Sequence, residues 1–242
     1  MGDPNRPSYV ALFDILGFRN LVAKHSREPE VLAERMIEAR ESAEKMAAAT
    51  DCFSIQFSDS ILLFTKGIGP DELEGIVMTS NFLIRKFLTA GFPLRGGLAA
   101  GSFYFHHSTY LGTAMNRAYE LEQSQDWIGG IVDPALGNAL RDEDPAQLDA
   151  RVAELHGLTS SSHLIEYPAP IKGGPVGNLR CFGWPLGGRQ EAIRSILQVD
   201  GSESWEVLRK IENTERFQTS VTALREERRR RLRGNDRPSG PP

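Results

Sequence analysis

The chain has 242 residues, 40% hydrophobic and 25% charged, with a formal net charge of -4. That is enough for one substantial core and lacks the basic surface of a nucleic-acid binder. Cys52 and Cys181, the only cysteines, lie outside any metal-ligand spacing and read as reduced core thiols; with no apolar run of membrane length and no signal core in M-G-D-P-N-R-P-S, a cytoplasmic location is expected.

After a Pro-rich lead, residues 9–13 predict a buried strand, with Asp14 at its carboxyl end and Gly17 opening the chain beyond it. Residues 28–48 predict an amphipathic helix, since Leu32, Met36, Ile37, Ala43 and Met46 recur at helical spacing. Residues 53–57 and 61–65 predict two strands joined by the tight turn Ser58-Asp59-Ser60, which puts Asp59 at a hairpin tip. A second helix over 70–90 and a strand over 94–100 follow. Strand, helix, strand, strand, helix, strand is the ferredoxin-like βαββαβ order of an α+β fold, in which the first strand lies beside the third. That topology carries Asp14 and Asp59 to the same edge of the sheet.

Residues 101–110 are aromatic and His-rich, 112–124 predict a third helix and 127–132 a strand. Asp133-Pro134 reads as an N-cap with proline in the first turn of a short helix, and 147–156 is again helical. A hairpin over 164–167 and 179–184 encloses P-A-P-I-K-G-G-P-V-G-N, which sets Lys172 beside glycines. Residues 189–233 read as helical with Trp205, Leu208, Ile211, Phe217, Val221 and Leu224 on the apolar side, before a Gly- and Pro-rich tail. The expected organisation is one core domain over 1–185, a helical extension packed on it over 186–233, and a disordered tail over 234–242.

A buried strand excludes ionised groups unless something pairs with them. Asp14 and Asp59 read either as a strand-end cap and a turn residue or as carboxylates for a divalent cation. Their shared edge favours the cation, because Mg²⁺ takes one or two carboxylates together with phosphates and water. Lys172 is a solvated loop lysine or a phosphate contact, and Arg95 a salt-bridge or phosphate arginine. His106 and His107 are adjacent, so on a strand they face opposite ways and make a poor metal pair. The terminal arginine run reads as a solvated helix end.

F-D-I-L-G-F, F-S-D-S, G-T-A-M-N-R-A and I-K-G-G, in that order, resemble the catalytic domain of class III nucleotidyl cyclases over roughly residues 9–184. The likeness extends in particular to the Pycsar pyrimidine cyclases of bacterial anti-phage defence, through the first two motifs and the endings Y-P-A-P-I-K and G-W-P-L. The resemblance implies cyclisation of a ribonucleoside triphosphate with two Mg²⁺ or Mn²⁺ ions held by Asp14, the backbone carbonyl of Ile15 and Asp59. Asn116 would hold the ribose and Lys172 the outgoing phosphates, in a head-to-tail homodimer with composite sites.

The sequence departs from that family at three positions. Glu120 stands where the family's transition-state arginine lies, four residues after the helix Asn; Arg117 is expected to point elsewhere around the helix, so either another arginine such as Arg95 serves or the step is stabilised differently. Ile55 and Thr109 occupy the positions that read the base in the purine cyclases, and an aliphatic side chain cannot make those hydrogen bonds. Together with the overall likeness this favours UTP or CTP, UTP ahead of CTP, giving cUMP or cCMP as a messenger for a separate effector protein. Two alternatives remain: a catalytically silent cyclase-like nucleotide-binding module, which Glu120 suggests and the two aspartates argue against, and a purine cyclase that reads its base from other positions.

Overall fold

A computed structural model of the chain describes residues 7–107, 109–136, 163–174, 177–185, 193–201 and 203–235. The apolar run near the start becomes β1 (Pro7–Ile15), buried from Ser8 to Phe13 because it is paired along both edges. Gly17 turns the chain at φ 72° into α1 (Phe18–Lys24), a helix of 7 residues with none fully buried, whose Phe18 and Leu21 pack partly against the core. Next come α2 (Pro29–Ala49), β2 (Phe53–Phe57), β3 (Ser60–Phe64), α3 (Pro70–Thr89) and β4 (Leu94–Ser102). Both long helices begin at proline, whose fixed φ and missing N–H suit a first turn. β1 lies antiparallel between β3 and β4, with β2 outside β3, which is the ferredoxin-like arrangement expected from the order of elements.

The aromatic stretch then folds into a small separate hairpin, β5 (Tyr104–His106) and β6 (Thr109–Leu111). α4 (Thr113–Ser124) leads to β7 (Gly129–Val132), parallel to β4, and the hairpin of β8 (Leu164–Tyr167) and β9 (Leu179–Phe182) extends the sheet to seven strands, β2-β3-β1-β4-β7-β9-β8. α4 sits close on β4 because Gly97 leaves room for it: a Cβ there would fall 2.5 Å from Leu121 Cβ and 2.7 Å from the Ala118 carbonyl.

The C-terminal part is a short α5 (Ile193–Ile196) and a long α6 (Trp205–Asn235), not one continuous helix. Gln198 and Gly201 take positive φ between them. Phe217 is fully buried against Trp127, Tyr167 and Trp184, and Ile211 and Val221 are buried with it. Trp205 and Leu224, read from the sequence as part of the same apolar side, are 68% and 42% exposed, because the stripe runs past the surface it packs on. Among the described residues no helix is long and apolar enough to cross a membrane. The tail expected over 234–242 begins two residues later than that, since α6 runs through Asn235; the rest of it and the helix expected over 147–156 lie outside the described residues.

Candidate active site

The β1 register sets the site. Asp14 is opposite Ser60 of β3 on one side and Arg95 of β4 on the other, and the Ile15 N–H donates to the Asp59 carbonyl at 3.0 Å. Asp59 is the second residue of the two-residue β2–β3 loop, whose first residue, Ser58, takes the positive φ of 56° that such loops require. Asp14, Ile15 and Asp59 thus meet at one edge of the sheet.

Asp14 is half-buried, and its carboxyl is pushed up from 3.8 to about 6. Burial is the main cause, the charges of Glu122 and Asp59 add to it, and Arg95 partly offsets them. This edge has a surplus of negative charge, which a divalent cation would relieve. Among the described residues no cluster of three or more His, Cys, Asp or Glu side chains is arranged to hold a metal by itself. Two carboxylates completed by substrate phosphates and water are the donor set Mg²⁺ commonly uses, so the residues present fit the implied ions.

Arg95 is 5% exposed and Glu122 1%. Arg95 Nε and Nη2 donate to Glu122 Oε1 at 2.6 and 2.5 Å, and Nη1 donates to the Gln125 carbonyl at 3.1 Å. Gln123 Nε2 donates to the other Glu122 oxygen at 2.7 Å. Of the two sequence readings of Arg95, the structure displays the salt bridge. Lys172 extends toward the same group: its N–H donates to the Ser124 carbonyl and its Nζ to the Gln123 carbonyl, both at 2.7 Å. Its pKa is lowered, first by burial and then by Arg95. Gly173 and Gly174, at φ 98° and 117°, turn the chain sharply after it.

α4 presents its other side to solvent. Ala114, Ala118, Leu121 and Glu122 are buried, whereas Asn116, Arg117, Tyr119 and Glu120 are exposed. Arg117 makes a two-pronged pair with Asp133 and a third bond to Glu120, so it does not project away on its own as the helical wheel suggests. Ile55 is half-buried in β2 opposite Leu62, and Thr109 is exposed at the start of β6 opposite His106. Alternation along β2 puts Ile55 on the face of Phe53 and Phe57, and two hairpin rings reach this face: Tyr110, 6.0 Å from Phe57, and Phe105, 5.7 Å from the Phe64 ring that stacks on Phe53. His106 and His107 contact each other edge-on in the tight turn of that hairpin, where His107 takes φ 45°. Asp14, Asp59 and Arg95 are therefore gathered at one edge, Lys172 lies by the Arg95–Glu122 pair, and Asn116 stands on the exposed face of α4.

Sequence reasoning missed Glu122. Its signal was present: a glutamate four residues after Ala118, on the face that the alanines and Leu121 mark as buried. It missed Asp126 as well, which holds Arg209 of α6 at 2.5 Å and whose carbonyl accepts from Asn213 Nδ2 at 2.9 Å. Asp133 does cap its turn as expected, accepting from the Ala135 N–H at 3.0 Å.

Sheet order, crossover helices and extending hairpin together give a mixed α+β fold, that of nucleotidyl cyclase catalytic domains. It is matched by a monomeric double mutant of the guanylyl cyclase domain of the RhoGC fusion protein from the aquatic fungus Blastocladiella emersonii, at 14% identity and a TM-score of 0.51, over 74% of this chain and 96% of that one. The guanylate cyclase domain of RhGC from Catenaria anguillulae, solved with GTP, aligns at 13% identity over 74% and 95% of the two chains with a TM-score of 0.49. A Trypanosoma brucei adenylate cyclase in its monomeric state gives 13%, 74% and 90%, and 0.49. No protein-family model and no curated protein matches the chain.

Proposed function

We propose that the protein is a nucleotidyl cyclase that converts a pyrimidine ribonucleoside triphosphate, UTP or CTP, into its 3′,5′-cyclic monophosphate and pyrophosphate. The observation that carries this reading is the convergence of Asp14 and Asp59 at one sheet edge, where burial first and then the charges of Glu122 and Asp59 push the Asp14 carboxyl up to about 6. Two Mg²⁺ or Mn²⁺ ions held by Asp14, the Ile15 carbonyl and Asp59 would lower the pKa of the ribose 3′-hydroxyl and neutralise the triphosphate. The 3′-hydroxyl passes its proton to water, a bond forms between the 3′-oxygen and the α-phosphorus, the bond from that phosphorus to the bridging oxygen breaks, and pyrophosphate leaves with that electron pair. Such chemistry depends on positioning and charge.

Asn116 has no side-chain partner among the described residues and is free to orient a ribose. Because it stands on the solvent face of α4 rather than at the aspartate edge, the site is completed across a homodimer, with α4 of one copy facing the metal edge of the other. Lys172 can exchange the Gln123 carbonyl for an outgoing phosphate. Arg95 acts indirectly, by countering the charges around Asp14. Ile55 is aliphatic, which argues against a hydrogen-bonded purine edge. By the motif likeness the product would be a messenger for a separate effector in defence against phage. A purine cyclase is the second reading, favoured by the guanylyl cyclase domain that shares this fold.

The base is decided by competition. In an equimolar mixture of ATP, GTP, CTP and UTP with Mn²⁺, UTP or CTP is expected to be consumed first, followed by chromatography. Preferential loss of ATP or GTP would replace this reading with the purine one.

A further inference from the structure

Loss of pyrophosphate from the α-phosphorus builds negative charge on phosphate oxygens, and a guanidinium with unused donors is the group suited to meet it. Arg95 cannot serve this way: it is buried, with Glu122 and the Gln125 carbonyl closed around its guanidinium. Arg117 differs in being open to solvent. Its side chain is 45% exposed, and it follows Asn116 on the solvent face of α4. Its Nε and Nη2 donate to Asp133 Oδ2 and Oδ1 at 2.8 and 3.1 Å, and its Nη1 donates to Glu120 Oε2 at 3.0 Å. Those bonds use three of the five N–H donors an arginine has, leaving two without a partner among the described residues.

Glu120 also fixes where the guanidinium lies. Asn116 and Glu120 are four residues apart and share a face of α4, and Arg117 is three residues before Glu120, close enough to be drawn back onto that face. Asp133, buried at the end of β7, anchors the other side of the guanidinium. The carboxylate at position 120 therefore supports a cation where a glutamate alone would repel phosphate. From this geometry we infer that Arg117, oriented by Glu120 and Asp133, is the catalytic residue that contacts the triphosphate and stabilises its developing charge. The assignment rests on the cyclase reading above and adds to it the residue that the sequence left unidentified.

The test compares Arg117→Ala, Arg117→Lys and the double variant Arg117→Ala/Asp133→Asn, the last so that no buried carboxylate is stranded. Turnover with Mn²⁺ and binding of inorganic triphosphate with Mn²⁺ by calorimetry are measured on each, with thermal melts to verify the fold. In the folded double variant kcat is expected to fall by about a hundredfold or more while KM changes by less than about tenfold, with partial recovery in Arg117→Lys. A kcat within about threefold of the parent, with triphosphate binding unchanged, would overturn the assignment and leave the cyclase reading standing. Should the parent protein turn over none of the four nucleotides, the cyclase reading fails instead. Triphosphate binding then decides for Arg117: weaker in the double variant supports the contact, and equal refutes it.

Discussion

Asp14→Asn is expected to reduce cyclic-nucleotide formation by about a thousandfold or more, the scale on which removing one group from a charge-stabilising site acts, while making the metal-free protein more stable at neutral pH. The second effect follows from linkage. The Asp14 carboxyl ionises near 3.8 in the unfolded chain and at about 6 in the folded one, so the folded state holds the proton more tightly. Stability is therefore lost as pH rises between those values and stays lower above them. Asparagine never ionises and escapes that loss. Because Asp14 is only half-buried, solvent screens much of the effect, and about 1 kcal/mol, or a melting shift of roughly 2–4 °C, is expected at pH 7.5, vanishing below about pH 4. Melts across pH check this, and Mn²⁺ should raise the parent's melting point more at pH 7.5 than at pH 5. A less stable Asp14→Asn at pH 7.5, or one that keeps its activity, contradicts the assignment.

Arg95→Met is expected to cost about 3–5 kcal/mol, because the buried Glu122 carboxyl group would be left without its partner. The double variant Arg95→Met/Glu122→Met should recover most of that loss or exceed the parent, since apolar side chains of similar volume often replace a buried pair without penalty. Urea denaturation of the four proteins in the cycle measures the coupling. The pair also bears on the site, because Glu122 raises the Asp14 carboxyl more than Arg95 lowers it. Removing both should lower the pH at which Mn²⁺ begins to bind, whereas removing Arg95 alone should raise it. If the single and double variants were equally destabilised, the loss would come from packing and not from a stranded charge.

What the sequence made legible depended on whether a residue's role is local. The strand ending in Asp14 and the hairpin carrying Asp59 could be read because alternation, a tight turn and one misplaced carboxylate in each are features of a few neighbouring residues, and the βαββαβ order then supplied the edge they share. The Lys172 loop was readable through its glycines. Glu122 was not, because its meaning lies in Arg95, 27 residues earlier on a neighbouring strand. The main partner of Arg117 was hidden for a related reason: Asp133 lies 16 residues later, just past the end of β7. α1 and the β5–β6 hairpin escaped because both are very short. Trp205 and Leu224 were read as core because periodicity reports a stripe and not the extent of the surface beneath it.

The most direct test of the account is mass spectrometry of the products formed when the purified protein is incubated with each of ATP, GTP, CTP and UTP plus Mn²⁺, with Asp59→Asn run alongside. A 3′,5′-cyclic pyrimidine monophosphate and pyrophosphate, both absent from the Asp59→Asn reaction, are the predicted result. No cyclic product from any of the four, or the same yield from the variant, would contradict the claim that the Asp14 and Asp59 edge performs this chemistry.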